Sequence, residues 1–507
     1  MSDIHELIGS DGELAVPDYA PRKKKKRGLP SSLPLWVVLL VVALIAGVAA
    51  SAVVLLFAEG EEQSSAQISA VDVDEAVGRG IAGQWTTVGA ANGRGGIAAA
   101  GTEARNPALT ITLNGQPYVA WVNWTEGGHY QVYVKRYDAA NDVWEAAGQG
   151  AADGDGISAA AGSVTAPAIS AAPDGTIYAA WLETAETGVL VRARHFRDGA
   201  WHDAGGGVVW HSAATRHSHA YSEKYVALRV GPQDGIPYLA WQAENDGIAQ
   251  IYVMRLNGDT WEEVGAGTAS GGGLSATATD STQPSLDVTP NNYVYVAWET
   301  SPETGNSEIY AKRYVYDWGE TVGHWEEIGA WSANGGGISL TSTRSTDPYV
   351  VVQKVENPFV VWVEGTRFNG MPDDEIFGKV YSIDRWDDEG MASASMRGIS
   401  NMEGKSFQPV VAASWRDATC LAWTQSGIGS MSRVYVTCYG PAFGFDGWQP
   451  AGLVSQNAGF VSNLYGDIAQ NPAMAFEPQP GDGLYVAWEE HGSDGSDIWV
   501  RRFAYGW

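Results

Sequence analysis

Apolar residues fall along this chain in two patterns. From Leu33 to Ala58 they run unbroken, LPLWVVLLVVALIAGVAASAVVLLFA, with no charged side chain. About 20 such residues cross a hydrocarbon core, so the run predicts a single transmembrane helix over 33–58. Beyond residue 80 the pattern changes to short apolar runs separated by turn residues such as Asn114-Gly115, Asp174-Gly175 and Asn257-Gly258. That spacing predicts strands and tight turns, and no helical period is visible in this part of the chain.

The short runs repeat. A Trp followed within four residues by Gly occurs at Trp85, Trp144, Trp201, Trp261, Trp325, Trp386 and Trp448, at intervals of 57 to 64 residues, and Trp507 ends the chain. Inside each interval lies a second marker: Trp121 (PYVAW), Trp181 (IYAAW), Trp241 (PYLAW), Trp298 (VYVAW), Trp362 (PFVVW), Trp423 (TCLAW) and Trp488 (LYVAW). A third run follows it, such as QVYVKRY or EIYAKRY, and a Pro opens the run before it in every repeat but the third. Each repeat therefore predicts four strands, which in the first are 108–112, 117–121, 131–137 and 144–148.

In the second strand, Val119 and Trp121 share one face while Tyr118 and Ala120 share the other. Both faces are apolar, as a sheet stacked between two neighbours requires. The chain opens with a spare fourth segment at Trp85, and its last repeat stops after a third. Pairing the two removes two free edges. The expectation is all-β: a seven-bladed β-propeller of four-stranded blades over 81–507, its N-terminal strand closing the last blade, preceded by a single transmembrane helix.

Charge orients the chain. Residues 22–27 read RKKKKR just before the apolar run, and Glu59, Glu61 and Glu62 follow it. Basic flanks stay cytoplasmic. This predicts a cytoplasmic tail over 1–32 whose basic run touches anionic lipid, a signal-anchor helix, a linker over 59–80 and an extracytoplasmic propeller at the cell membrane. The net charge is −28, and since residues 1–58 carry +1 the part after the helix carries −29, which argues against nucleic-acid binding.

Cys420 and Cys438 are the only cysteines. They flank one turn on adjacent strands, and outside the cytoplasm that placement predicts a cross-strand disulfide. Long connections on a rigid scaffold are where binding concentrates. Trp124, Trp210 and Trp331 map to the connections of one face and are candidate contacts for a sugar ring or a protein partner. The Gly-Gly-Ile/Leu-Ser pattern at Gly271–Ser275 and Gly335–Ser339 reads as the turn that carries each repeat into the next. Five of nine histidines lie between 195 and 219, and His211, His217 and His219 are candidate binding residues. Asp153-Gly-Asp155-Gly and Asp494-Gly-Ser-Asp497 resemble fragments of calcium loops without completing an EF-hand pattern, so no cofactor is expected, with calcium the open alternative.

The repeat as a whole (a Pro-opened strand, then PYVAW, then IYVKRY, then W-x-x-x-G) is similar to the BNR/sialidase-like propeller repeats of bacterial surface proteins. The resemblance covers residues 81–507 and implies the fold. The Ser-x-Asp-x-Gly-x-Thr-Trp box of sialidases is absent, as is their Phe/Tyr-Arg-Ile-Pro motif, so no catalytic residue is carried over. The functional expectation is a non-catalytic module that binds a protein or glycan or sits in a membrane assembly. The alternative is a glycoside hydrolase, sialidase-like, or a lyase acting at the propeller face with a carboxylate pair. The topology is testable: protease added outside intact cells is expected to digest the large acidic part, and protection of that part would reverse the assigned orientation.

Overall fold

The computed structural model describes residues 81–505, other than 90–95, 99–102, 213–225, 317–321, 441–446, 453–459, 463–467 and breaks of one to three residues. The expected tail, membrane helix and linker, residues 1–80, lie outside the described residues. Among the described residues no helix is long and apolar enough to cross a membrane.

All regular elements among the described residues are β-strands. In the first repeat, strands Ala104–Ile111, Pro117–Trp124, Tyr130–Asp138 and Val143–Ala146 form one antiparallel sheet in chain order. Three further four-stranded sheets follow, ending at His324–Glu327. The remaining strands form a twelve-stranded sheet in which the same antiparallel order recurs, linked by single parallel bridges, Asp374 to Lys405 and Ser432 to Ile468. The spare first segment, Gly83–Thr87, pairs antiparallel with Gly495–Tyr505, with Trp85 opposite Phe503.

The first strand of each repeat is innermost. These strands together line a cavity of about 400 Å³. Each lies against the inner strands of the repeats before and after it, and Ala104–Ile111 lies against Ile468–Phe476 of the last repeat. Strands radiating from a shared cavity in this way make a β-propeller type of fold.

The second-strand tryptophans are the core. Trp121, Trp181, Trp241, Trp298, Trp362, Trp423 and Trp488 are all 4% exposed or less. They pack between sheets as well as within them: Trp181 clusters with Tyr118, Val132 and Val134 of the preceding repeat. A buried aromatic hides about 150–250 Å², roughly 4–6 kcal/mol gross before entropy is subtracted.

The outer-strand tryptophans have a different task. Each indole N–H donates to a backbone carbonyl three residues past the corresponding Trp of the preceding repeat. Trp144 reaches Val88 at 2.9 Å, Trp201 Ala147 at 2.7 Å, Trp261 Ala204 at 3.0 Å, Trp386 Ile328 at 2.9 Å and Trp448 Glu389 at 2.8 Å. Trp325 does the same to Val264. Trp85, from the first strand of all, donates to Ala451 at 3.0 Å and so brings the series back to the Trp448 marker.

The Gly-Gly-Ile/Leu-Ser pattern is a second fastening between repeats. Ile338 N donates to Ile309 O of the preceding repeat at 2.7 Å, while Ile338 O accepts from Lys379 Nζ of the following repeat at 2.9 Å. Leu274 is held likewise by Ile251 O and by Lys312 Nζ, and Ile157 by Val132 O and Arg194. Burial lowers the pKa of both Lys312 and Lys379. The serine of the pattern locks the turn: Ser275 Oγ donates to Gln250 Oε1 at 2.6 Å and accepts from Ile251 N. Gly337 has φ 63°, and a Cβ there would run into Ile309 O, so glycine is required for the close approach.

Cys420 and Cys438 stand opposite each other on neighbouring strands and are disulfide-bonded. Their sequence separation is 18. Closing a loop of that size removes about 3 kcal/mol of unfolded-state entropy. Reduction, or the paired change Cys420→Ala and Cys438→Ala, is expected to cost the fold about that much, read as the shift in urea midpoint. A midpoint indifferent to dithiothreitol would contradict the assignment.

Candidate functional site

The inner strands begin earlier than their prolines suggest. In Ala104–Ile111 the register slips between Arg105 and Ala108, and the same bulge recurs before Pro284, Pro348, Pro409 and Pro472. The residue before each of these prolines is left-handed: Asn106 at φ 53°, Gln283 at 55°, Asp347 at 52°, Gln408 at 56° and Asn471 at 53°. Proline has no N–H to lose from the ladder, which suits it to a bulge. The left-handed residue does have one, turned out of its own sheet, and a buried N–H needs an acceptor.

A polar side chain supplies that acceptor. Gln242, directly after its second-strand Trp, accepts from Gln283 N at 2.7 Å. Glu299, also directly after its Trp, accepts from Asp347 N. Glu489 accepts from Asn106 N at 2.7 Å, and Gln408 from Asn471 N at 2.9 Å with Thr424 also donating to it. Pro107, Pro284 and Pro472 line the cavity. The residues just before them therefore form a polar crown at one mouth of it, on the face where the second strands end.

One sector of the crown carries acid–base chemistry. Glu489 is 1% exposed. Its Oε1 accepts from Gln470 Nε2 at 2.6 Å and contacts His491 Nε2 at 2.8 Å, and its Oε2 accepts from Asn106 N and from Asn471 Nδ2. Burial pushes this carboxyl up, but the hydrogen bonds from His491, Asn471, Gln470 and Asn106 outweigh it and hold the group below the usual carboxylate range. An ionised buried carboxylate thus orients a partly exposed imidazole, an arrangement suited to taking and giving a proton.

Beside it lies an aromatic ledge. His491 pairs with Ser496, Ser496 bridges to Glu103, and Glu103 O accepts from Trp124 N. Three strand spacings of about 4.8 Å therefore separate Trp124 from His491, roughly 15 Å. Trp124 is 45% exposed and meets Tyr130 edge-on at 5.0 Å. The Arg105 guanidinium stacks over the Tyr130 ring at 5.5 Å and pairs with Glu103.

The structure separates the other expected residues. Trp331 is exposed on the connection after His324–Glu327, several repeats away. Trp210 is half-buried and packs on Trp241 and Tyr252. His211 is exposed at the end of Ala200–Ser212, while His217 and His219 lie outside the described residues. Among the described residues no group of three His, Cys, Asp or Glu is placed to hold a metal ion. His491, Asn106 and Asn471 were not evident as site residues. The signal for Asn106 and Asn471 is a polar residue directly before the proline; His491, three residues after Trp488, has no recurring pattern.

A second carboxyl of the crown holds its proton to higher pH than an ordinary carboxylate. Burial pushes Glu299 up to about 7; Ser307 opposes this, the Asp347 charge adds to it, and Ser301 and Asp347 N oppose it. Glu375 is also pushed up to about 7 by burial, but it is engaged by Ser400 and Arg397 in the fastening between repeats.

No protein-family model matches the sequence, and no curated protein does. Solved structures do resemble it. A PL25 ulvan lyase aligns at TM-score 0.49 and 11% identity over 80% of this chain and 94% of the lyase. The Penicillium chrysogenum α-L-arabinanase aligns at 0.40 and 14% over 67% and 92%. A Hadza microbial sialidase aligns at 0.39 and 13% over 80% and 66%. The expectation of a non-catalytic module is corrected by these neighbours, which are mostly glycoside hydrolases, sialidases and polysaccharide lyases; the alternative expectation fits them better. At such TM-scores the likeness assigns no residue a role.

The Glu299 shift has a measurable sign. The carboxyl titrates at 4.5 in its ordinary state and at about 7 in the fold, so the folded chain holds the proton more tightly. Stability from this group is complete at low pH and is lost as pH rises through its folded value, by about 3 kcal/mol at most. Glu299→Gln is expected to remove that slope, giving a variant whose urea midpoint changes less than the parent's between about pH 5 and pH 8. Equal slopes in the two proteins would show that Glu299 titrates as an ordinary carboxyl.

Proposed function

We propose that this chain is a membrane-anchored, extracytoplasmic propeller of seven blades that cleaves an acidic polysaccharide at the crown, with His491 as the group that moves the proton. The blade count is supported by the period of the tryptophan markers and by the indole–carbonyl bonds that run from repeat to repeat and return to the first. The anchor and its orientation rest on the apolar run and its basic flank. The observation that carries the chemistry is the His491–Glu489 pair, a buried ionised carboxylate holding a solvent-reaching imidazole beside an exposed aromatic.

The residues suit elimination. His491 takes the proton from the ring carbon next to a uronate carboxylate. The electron pair becomes a C=C bond, the bond to the glycosidic oxygen breaks, and the imidazolium returns its proton to that oxygen as it leaves. Glu489 stabilises the imidazolium so formed. Arg105 is a cation within reach of the same ledge and would hold the uronate carboxylate, and Trp124 would stack on an adjoining sugar.

Ulvan, pectate, alginate, hyaluronan and arabinan make a panel that spans uronate-containing and neutral chains. Elimination creates a conjugated double bond and thus ultraviolet absorbance, whereas hydrolysis creates only new reducing ends. His491→Gln is expected to lower turnover by about 10²–10⁴-fold. Glu489→Gln should lower it as well, since it removes the carboxylate that orients the imidazole. Turnover unchanged in His491→Gln would remove this assignment.

A further inference from the structure

We infer that Trp331 and Leu340 form a second carbohydrate subsite on the face that carries the crown, where a sugar ring of the polymer stacks at a distance from His491; the inference rests on the carbohydrate reading above. The first observation is a broken rule. The sixth residue after the outer-strand Trp is left-handed in four repeats. It is glycine in three of them, Gly150 at φ 76°, Gly207 at 81° and Gly267 at 84°. In the fourth it is Trp331, at φ 75°. A bulky residue in this region is strained, and the indole gains no burial in return, because it is 65% exposed.

The second observation is the company it keeps. The residue after the serine of the Gly-Gly pattern is also left-handed, and elsewhere it is small or polar: Ala159, Ala276 and Asn401. Here it is Leu340, at φ 46° and 73% exposed. A Cβ on Gly335 would meet the Trp331 ring at 3.1 Å, and one on Gly336 would run into the Leu340 side chain. Two consecutive glycines thus leave room for the two apolar groups, which lie over neighbouring backbone positions. Two exposed apolar side chains on one connection, each in a strained conformation, contribute little to folding.

The chemistry around them favours a sugar. Glu327 accepts from Trp331 N at 3.2 Å and from the Asn334 amide, and the Tyr310 hydroxyl donates to Gly335 O at 2.8 Å. A flat ring edged by hydroxyl, amide and carboxylate matches the C–H face and hydroxyl rim of a pyranose. A stable protein partner would need about 800 Å² on this side, far more than two side chains present. The patch also shares the loop face with His491, so a single long chain lying across the mouth can meet both.

The test is affinity electrophoresis of the full chain, in gels containing each of the five polysaccharides above, together with thermal melting. The parent is expected to be retarded by at least one polymer. Trp331→Gly is expected to weaken that retardation at least tenfold while melting at the same or a higher temperature, since glycine relieves the strained position. Leu340→Ala should weaken retardation less. Unaltered retardation in Trp331→Gly, a lower melting temperature in it, or no retardation of the parent by any polymer would overturn the inference. His491→Gln separates the two ideas. If Trp331→Gly binds and cleaves as the parent does, the subsite is refuted and the cleavage reading stands. If Trp331→Gly loses retardation while His491→Gln cleaves normally, the cleavage assignment is refuted and the subsite stands.

Discussion

An indole N–H reaching back to a carbonyl of the repeat before it is the contact on which this molecule depends. A sheet with two apolar faces cannot stand alone in water, so each repeat must be covered on both sides. Packing alone would let neighbouring sheets slide, because apolar contact is non-directional. The hydrogen bond from each outer-strand Trp is directional, and it fixes where one sheet sits against the next. The lysines and arginines that grip Ile157, Leu274 and Ile338 do the same nearer the loop face. Rim and loop face are thereby set independently.

The crown follows from that fixation. A left-handed residue before a proline turns its N–H away from its own ladder, and the acceptor comes from the preceding repeat. This works only if the two repeats hold their spacing to within a hydrogen bond. The same requirement puts an ionised Glu489 in a nearly closed site, where four donors offset the cost of burying its charge. Glu299 has fewer donors and an acidic neighbour, and it keeps its proton close to neutrality. Two carboxyls in equivalent places in the repeat are thus shifted in opposite directions by their surroundings.

Much of the fold was legible in the sequence. The second-strand tryptophans recur with apolar residues on both faces, a signal that depends only on local period, and the structure buries every one of them. The pairing of Gly83–Thr87 with the last repeat, and of Cys420 with Cys438, followed from counting strands. The site was less legible, because its contacts join residues remote in the chain. Asn106 and Glu489 are 383 residues apart. In the sequence Glu489 reads only as one of several acidic residues in the connections after the second strands, and Asn106 only as a polar residue before a proline. Trp210 illustrates the converse: it looks like a loop aromatic, yet the thirteen-residue strand Ala200–Ser212 folds it onto Trp241. Trp124 stayed a plausible contact because its strand ends in solvent.

The antiparallel pairing of Gly83–Thr87 with Gly495–Tyr505 sets the order in which the molecule can be made. Within a repeat, strands join through short turns and can assemble as they leave the ribosome. The first strand cannot, since its partner lies more than 400 residues further along the chain. Until then its edge and the flank of the opening repeat stay uncovered, exposed to pairing with other chains. Closing so long a loop costs only slightly more entropy than closing a short one. The delay is therefore a matter of timing rather than of final stability, and biogenesis has to shelter that one early strand until its partner has been made.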